Sequence, residues 1–138
     1  MSIYDKKGDI PLKIKSYVCT LVFASLICTY LDLWLVGKGY YAFPVRPLPG
    51  IFTVNVLFTL FILPISTFIV IFWFNRMGSF QKLLWSIILS LAMAASELYF
   101  EKLGLFAHSH AWNHIYSVFG YFIFIQAVWY FYKWLNKA

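Results

Sequence analysis

The stretch SELYFEKLGLFAHSHAWNH, Ser96 to His114, decides how the chain is read. It holds two of the five acidic residues and all three histidines, and long apolar runs flank it on both sides. An apolar run of about 20 residues is long enough to cross a bilayer core of about 30 Å. A polar segment between two such runs reads as the connection between two membrane spans.

The totals agree with that reading. The chain has 138 residues, 62% hydrophobic and 22% aromatic, with only 12% charged. Soluble domains carry about 25% charged residues. A soluble fold of this size would lack polar surface, so the bilayer is the expected solvent and one domain over residues 1–138 the expected organisation. The net charge of +6 sits at span ends, which fits positive-inside topology and not nucleic-acid binding. Cys19 and Cys28 fall in one apolar run, roughly 13 Å apart along a helix, too far to pair with each other. No Cys-x-x-Cys is present, and the run lacks a cleavage site, so it reads as an uncleaved span.

Working outward, the expectation is all-α: a polytopic four-helix transmembrane bundle with spans over residues 15–36, 51–74, 82–100 and 114–134. Residues 1–14 read as a basic surface tail. The first loop, GKGYYAFPVRPLPG, has three glycines and three prolines and cannot continue a helix. Pro64 falls inside the second span and is expected to kink it, freeing the carbonyl of Leu60. In the third span, SLAMAAS is rich in small residues that let helices approach closely in lipid. Trp129, Tyr130, Tyr132 and Trp134 read as an interfacial anchor. Eight Lys and Arg residues lie in the N-terminal tail, second loop and C-terminus, against three (Lys38, Arg46, Lys102) in the other loops. That bias puts both termini in the cytoplasm and the 96–114 stretch outside, in a multi-pass protein of the cell membrane.

Depth then collects the polar residues. At 1.5 Å per residue, Asp32 and Glu97 both sit roughly 22–26 Å from the inner boundary. Glu101 is one turn higher, His114 begins the fourth span, and Asn55 lies near the start of the second. Helical spacing puts Ser86, Ser90, Ala94, Glu97 and Glu101 on one stripe, Ser25, Cys28 and Asp32 on another, Asn55, Thr59 and Ser66 on a third, and His110, His114, Ser117 and Tyr121 on a fourth. An acidic residue facing lipid at mid-membrane costs about 2.5–3.5 kcal/mol. Pointing the stripes inward avoids that cost and makes a polar pocket. Its expected lining is Asp32, Asn55, Glu97, Glu101 and His114, with Arg46 as a lid charge.

Plainer roles exist for most of these residues. Asp32 can pair with Lys38 or Arg46, Glu101 can be surface charge beside Lys102, His108 and His110 can be solvated, and His114 can cap the fourth helix. Glu97 is too deep for simple solvation. Glu97, Glu101 and Asp32 are the candidates for acid–base chemistry, which needs carboxylates in unlike surroundings. Glu97-x-x-x-Glu101 and His110-x-x-x-His114 each set two metal-ligand types one turn apart. That spacing is common by chance and no His-Glu-x-x-His is present, so neither a metal nor any cofactor is expected. No phosphate loop or nucleophile elbow occurs.

LDLWLVGKGYYAFPVRPLPGIFTVNVLFTLFILP and SELYFEKLGLFAHSHAWNHIYSVFGYF together resemble a family of small four-span membrane proteins from endospore-forming Gram-positive bacteria, and the resemblance implies the four-span topology. A fainter likeness is to the small membrane lycopene cyclases, which share a late acidic residue in one span, a Gly-aromatic-Phe loop and a Leu-Pro. Here Leu48-Pro49 is followed by Gly50 where that family has paired glutamates, so the likeness implies apolar ligands and not the cyclase acids. The leading functional expectation is binding of a small ligand or lipid headgroup at the outer pocket. The alternatives are a membrane enzyme doing acid–base chemistry on a lipid or isoprenoid-like substrate, and a structural envelope or spore-membrane protein. The expected partners are the bilayer, a lipid or small apolar ligand, and a second copy or larger membrane complex, with no nucleic acid.

Overall fold

In a computed structural model, described over residues 12–137, the chain is a four-helix assembly. The tail expected over residues 1–14 lies almost wholly outside the described residues. The helices are α1 (Leu12–Gly37), α2 (Leu63–Phe74), α3 (Ser79–Lys102) and α4 (His114–Lys137). Three of them, α1, α3 and α4, are long and apolar enough to cross a membrane.

The second apolar run differs from its expected span. It is continuously helical only near Phe58–Phe74, which is shorter than the others. Residues 51–55 are irregular because the chain is wrapped around Arg46. That guanidinium donates to three backbone carbonyls, Phe52 O (2.5 Å), Phe43 O (2.6 Å) and Pro49 O (3.1 Å). Leu48, in the left-handed region at φ 50°, accepts from both Ile51 and Phe52.

Pro64 acts on the turn before it. Residues Phe58–Ile62 form a π-helical turn, and the Leu63 N–H bonds back to Phe58 O. A π turn admits one extra residue and so advances the helical register. The buried face therefore runs Thr59, Leu63, Thr67, Ile71 and Phe74. Ser66, expected on that face, is exposed, and its hydroxyl donates to Ile62 O at 2.8 Å in its own helix.

Small side chains set the close approaches. The buried face of α3 is Ser86, Ser90, Ala94 and Glu97, as its spacing predicts. It packs on α4, where Gln126 Nε2 donates to Ser86 Oγ at 2.8 Å. On α1 the buried positions are Ser16, Thr20 and Ala24, a row that continues through half-buried Cys28 and Asp32. The opposite side of α1 exposes Val18, Val22, Leu26 and Leu33. In water such a face would be an association hazard; in lipid it is ordinary surface.

The two ends of the bundle are built differently. At the end holding the α2–α3 turn, an apolar core gathers Ala24, Ile71, Phe74, Ile125, Val128, Trp129 and Tyr132. Asn75 ties three helices there, donating to Tyr17 Oη (3.2 Å) and Tyr132 Oη (3.1 Å). Trp129 and Tyr132 are thus core residues, while Tyr130 and Trp134 face outward. The other end, called here the loop end, carries the connections α1–α2 and α3–α4. These join in a two-residue antiparallel ladder, β1 (Tyr41–Ala42) with β2 (Ala107–His108), pairing Tyr41 with His108 and Ala42 with Ala107.

Both loops leave their helices in the same way. After α1, Gly39 (φ 76°) bonds its N–H to Val36 O, and Tyr40 N–H reaches Leu35 O. After α3, Gly104 (φ 76°) bonds to Glu101 O, and Leu105 N–H reaches Phe100 O. This is the paired closure that a left-handed glycine allows at a helix C-terminus. Residues 32–43 and 97–108 align without a gap, matching Leu33 with Leu98, Gly39 with Gly104 and Ala42 with Ala107. The ladder respects that alignment. Exchanging the halves maps the Ala42–Ala107 pair onto itself and carries Tyr41–His108 onto Phe106–Phe43, whose rings lie 5.8 Å apart. The loop end is therefore a local two-fold.

Candidate functional site

Helix α3 presents Glu97 and Glu101 one turn apart, just before its glycine closure. Helix α4 starts at His114, with the Asn113 side chain accepting the Ile115 N–H at 3.0 Å. Asn113 thus takes the capping role, and the His114 ring is left to face α3. Ser117 and Tyr121 follow His114 on the same side of α4.

These residues converge on one carboxylate. Glu97 Oε1 accepts from the Tyr121 hydroxyl at 2.5 Å. Glu97 Oε2 accepts from the Ser117 hydroxyl at 2.6 Å and faces His114 Nδ1 at 3.1 Å. The network continues outward: His114 Nε2 lies 3.2 Å from Glu101 Oε2, and Glu101 Oε1 lies 2.5 Å from His108 Nδ1. The two imidazoles meet edge to face at 4.7 Å. Exposure falls inward along this path, from 30% for the Glu101 side chain to 17% for His114 and 12% for Glu97.

The proton inventory of this network is constrained. An ionised Glu97 can only accept, and His114 Nδ1 is then the donor between them. If His114 is neutral, Nε2 then carries a lone pair aimed at Glu101 Oε2, another acceptor. Two acceptors 3.2 Å apart need a positive charge between them, either a proton or a metal ion. Among the described residues, Glu97 and Glu101 form ion pairs only with histidine.

Asp32 belongs to the other half of the loop end. Its Oδ1 accepts from the Tyr41 hydroxyl at 2.5 Å, so it engages neither Lys38 nor Arg46. Burial pushes the Tyr41 phenol well above its ordinary pKa, and the Asp32 carboxylate pushes it the same way, so Tyr41 keeps its proton. Its ring packs with Phe43 (5.6 Å), Phe106 (5.2 Å) and Trp112 (5.4 Å). Trp112 Nε1 and Ser109 Oγ are buried without a hydrogen-bond partner among the described residues.

The structure thus brings Glu97, Glu101 and His114 together and sets Asp32 in the same end with its own donor. Arg46 braces its loop's backbone, and Asn55 Oδ1 accepts the Phe58 N–H at 3.2 Å to start the second helix. His110 is exposed, and His108 takes the place beside Glu101. Sequence spacing missed His108 because the β1–β2 ladder, not helical periodicity, delivers it. The recurring Gly-x-x-Ala of the two loops is the signal that would have found it. A groove of about 460 Å³ lies elsewhere, between α1 and the second helix, lined by Leu21, Val22, Leu26, Leu60 and Pro64 with Ser25 and Thr29.

No family model, no curated protein and no solved structure matches this chain.

Proposed function

We propose that this chain is a four-span protein of the cell membrane, with cytoplasmic termini, that binds a small cationic ligand at its outward-facing loop end. The observation carrying this reading is the charge content of that end. Asp32, Glu97 and Glu101 gather there with imidazoles and hydroxyls, and no Lys or Arg pairs with them among the described residues. Carboxylates at a membrane boundary are costly unless compensated, and in such positions they mark ligand or ion sites. A metal ion and the amine headgroup of a lipid share the needed chemistry.

The second span is the helical run Phe58–Phe74, roughly 26 Å long and just sufficient for a hydrocarbon core of about 30 Å with local thinning. The Lys and Arg bias sets the orientation. The resemblance to small four-span proteins of endospore formers supports the same topology.

Two measurements test this reading. Native mass spectrometry of the full chain in mild detergent should show a cationic species that wild type carries and Glu97→Gln loses. Equal retention by both proteins would put the ligand elsewhere. With Cys19 and Cys28 replaced by serine, a cysteine at His110 should react with an impermeant maleimide on intact cells, and one at Gln81 only after lysis. The reverse pattern would invert the topology.

A further inference from the structure

We propose that Glu101, His108 and His114 bind a divalent transition-metal ion of the zinc type, with Glu97 holding His114 from behind. This inference rests on the cation-binding reading above and names its ligand.

The donor atoms are already gathered. One carboxylate oxygen of Glu101 and one ring nitrogen from each histidine lie within 4.8 Å of one another. A tetrahedral zinc ion with bonds of about 2.0–2.1 Å needs neighbouring donors roughly 3.3 Å apart. Side-chain rotation has to bring the donors from within 4.8 Å to that spacing. The three ligands also come from three differently anchored places: the last turn of α3, a ladder strand tied to β1, and the first turn of α4.

The backing residue is the stronger argument. Metal-bound histidines usually donate their other ring N–H to a carboxylate, which fixes the tautomer and turns the free lone pair towards the metal. Glu97 stands in that relation to His114. Its Oε2 faces Nδ1, leaving Nε2 directed at Glu101, and Ser117 and Tyr121 hold the carboxylate in place. An ion between Nε2 and Glu101 would take the place of the proton that otherwise joins them.

The donor set selects the metal class. Two imidazoles and one carboxylate suit zinc and its neighbours rather than calcium or magnesium, which take oxygen ligands. Three protein ligands leave a fourth position for water or a bound molecule, the pattern of zinc sites that act on something rather than merely brace a fold. Exposure of Glu101 and His108 puts that fourth position on the solvent side.

The test uses the full chain in detergent, stripped with a chelator and titrated with Zn²⁺ against a chromophoric competitor. Co²⁺ serves as a spectroscopic probe. Wild type should bind one ion per chain, with visible d–d bands from Co²⁺ in tetrahedral coordination. Glu101→Gln, His108→Ala and His114→Ala should each weaken binding by at least about 10-fold, and Glu97→Gln by about 10–100-fold. His110→Ala should match wild type. Each variant is first checked for the wild-type elution volume and thermal transition; for a variant failing that check, the Co²⁺ spectrum of the correctly folded His108→Gln protein decides. Substoichiometric binding in wild type, or equal loss in His108→Ala and His110→Ala, overturns the site. If stripped protein takes no metal but still carries an amine-headgroup lipid that Glu97→Gln loses, the metal is wrong and the cation reading stands. If neither species depends on Glu97, both fall.

Discussion

The two halves of the loop end share one backbone and diverge in chemistry. Each sends a helix into the same glycine closure and then into one strand of the shared ladder. Each also carries a carboxylate at the matching position, Asp32 in the first half and Glu97 in the second. Asp32 accepts from a single phenol, that of Tyr41, among the described residues. Glu97 opens a chain through His114 and Glu101 to His108. Two aligned positions make much of the difference: Val36 stands where the second half has Glu101, and Phe43 where it has His108. One scaffold thus serves as an aromatic seal on one side and as a set of metal-type donors on the other. What distinguishes the sides is side-chain identity, not backbone geometry.

The largest expected effect comes from erasing that distinction. The double variant Glu101→Val with His108→Phe gives the second half the residues of the first. Zinc affinity should fall by at least about 100-fold, since two of three ligands are gone. The fold should survive, because Phe at 108 extends the packing of Tyr41, Phe43 and Phe106. Competition titration and a thermal melt in the same detergent check both halves of that statement. Lost binding with an unchanged melt supports the comparison. A collapse of the melt would mean that the Glu101–His108 contact holds the loop end together, and that the halves are not interchangeable scaffolds.

Particular residues show what could be read from sequence and what could not. The α3 stripe was legible because period and composition agree: small or polar residues recur at helical spacing, and Ser86, Ser90, Ala94 and Glu97 are buried. The long helices were legible from run length alone. The face of the second helix was not, since a π turn before Pro64 shifts it by one residue and turns Ser66 outward in favour of Thr67. No one-residue shift is visible in a hydropathy pattern. Arg46 reads from sequence as a lid charge; that its guanidinium serves three carbonyls of its own loop depends on loop geometry. His108 required a long-range pairing of two-residue strands, too short to leave an alternation signal.

A smaller effect separates the halves without touching any ligand. Gly39 and Gly104 both sit at φ 76°, and neither has an atom within 4 Å of the place a Cβ would occupy. Alanine at either position therefore costs backbone strain alone, about 1–2 kcal/mol for a left-handed residue with a side chain. Gly39→Ala and Gly104→Ala should lower thermal stability by similar amounts. Their effects on zinc should differ, because Gly104 lies between Glu101 and His108, while Gly39 touches the site only through the ladder. A share of that strain, about 1 kcal/mol, would weaken binding roughly 5-fold in Gly104→Ala. Gly39→Ala should change it by less than about 2-fold, within the size of weak indirect coupling. Equal weakening in both would show that the ladder transmits strain as one rigid unit, and that the first half sets the geometry of the second.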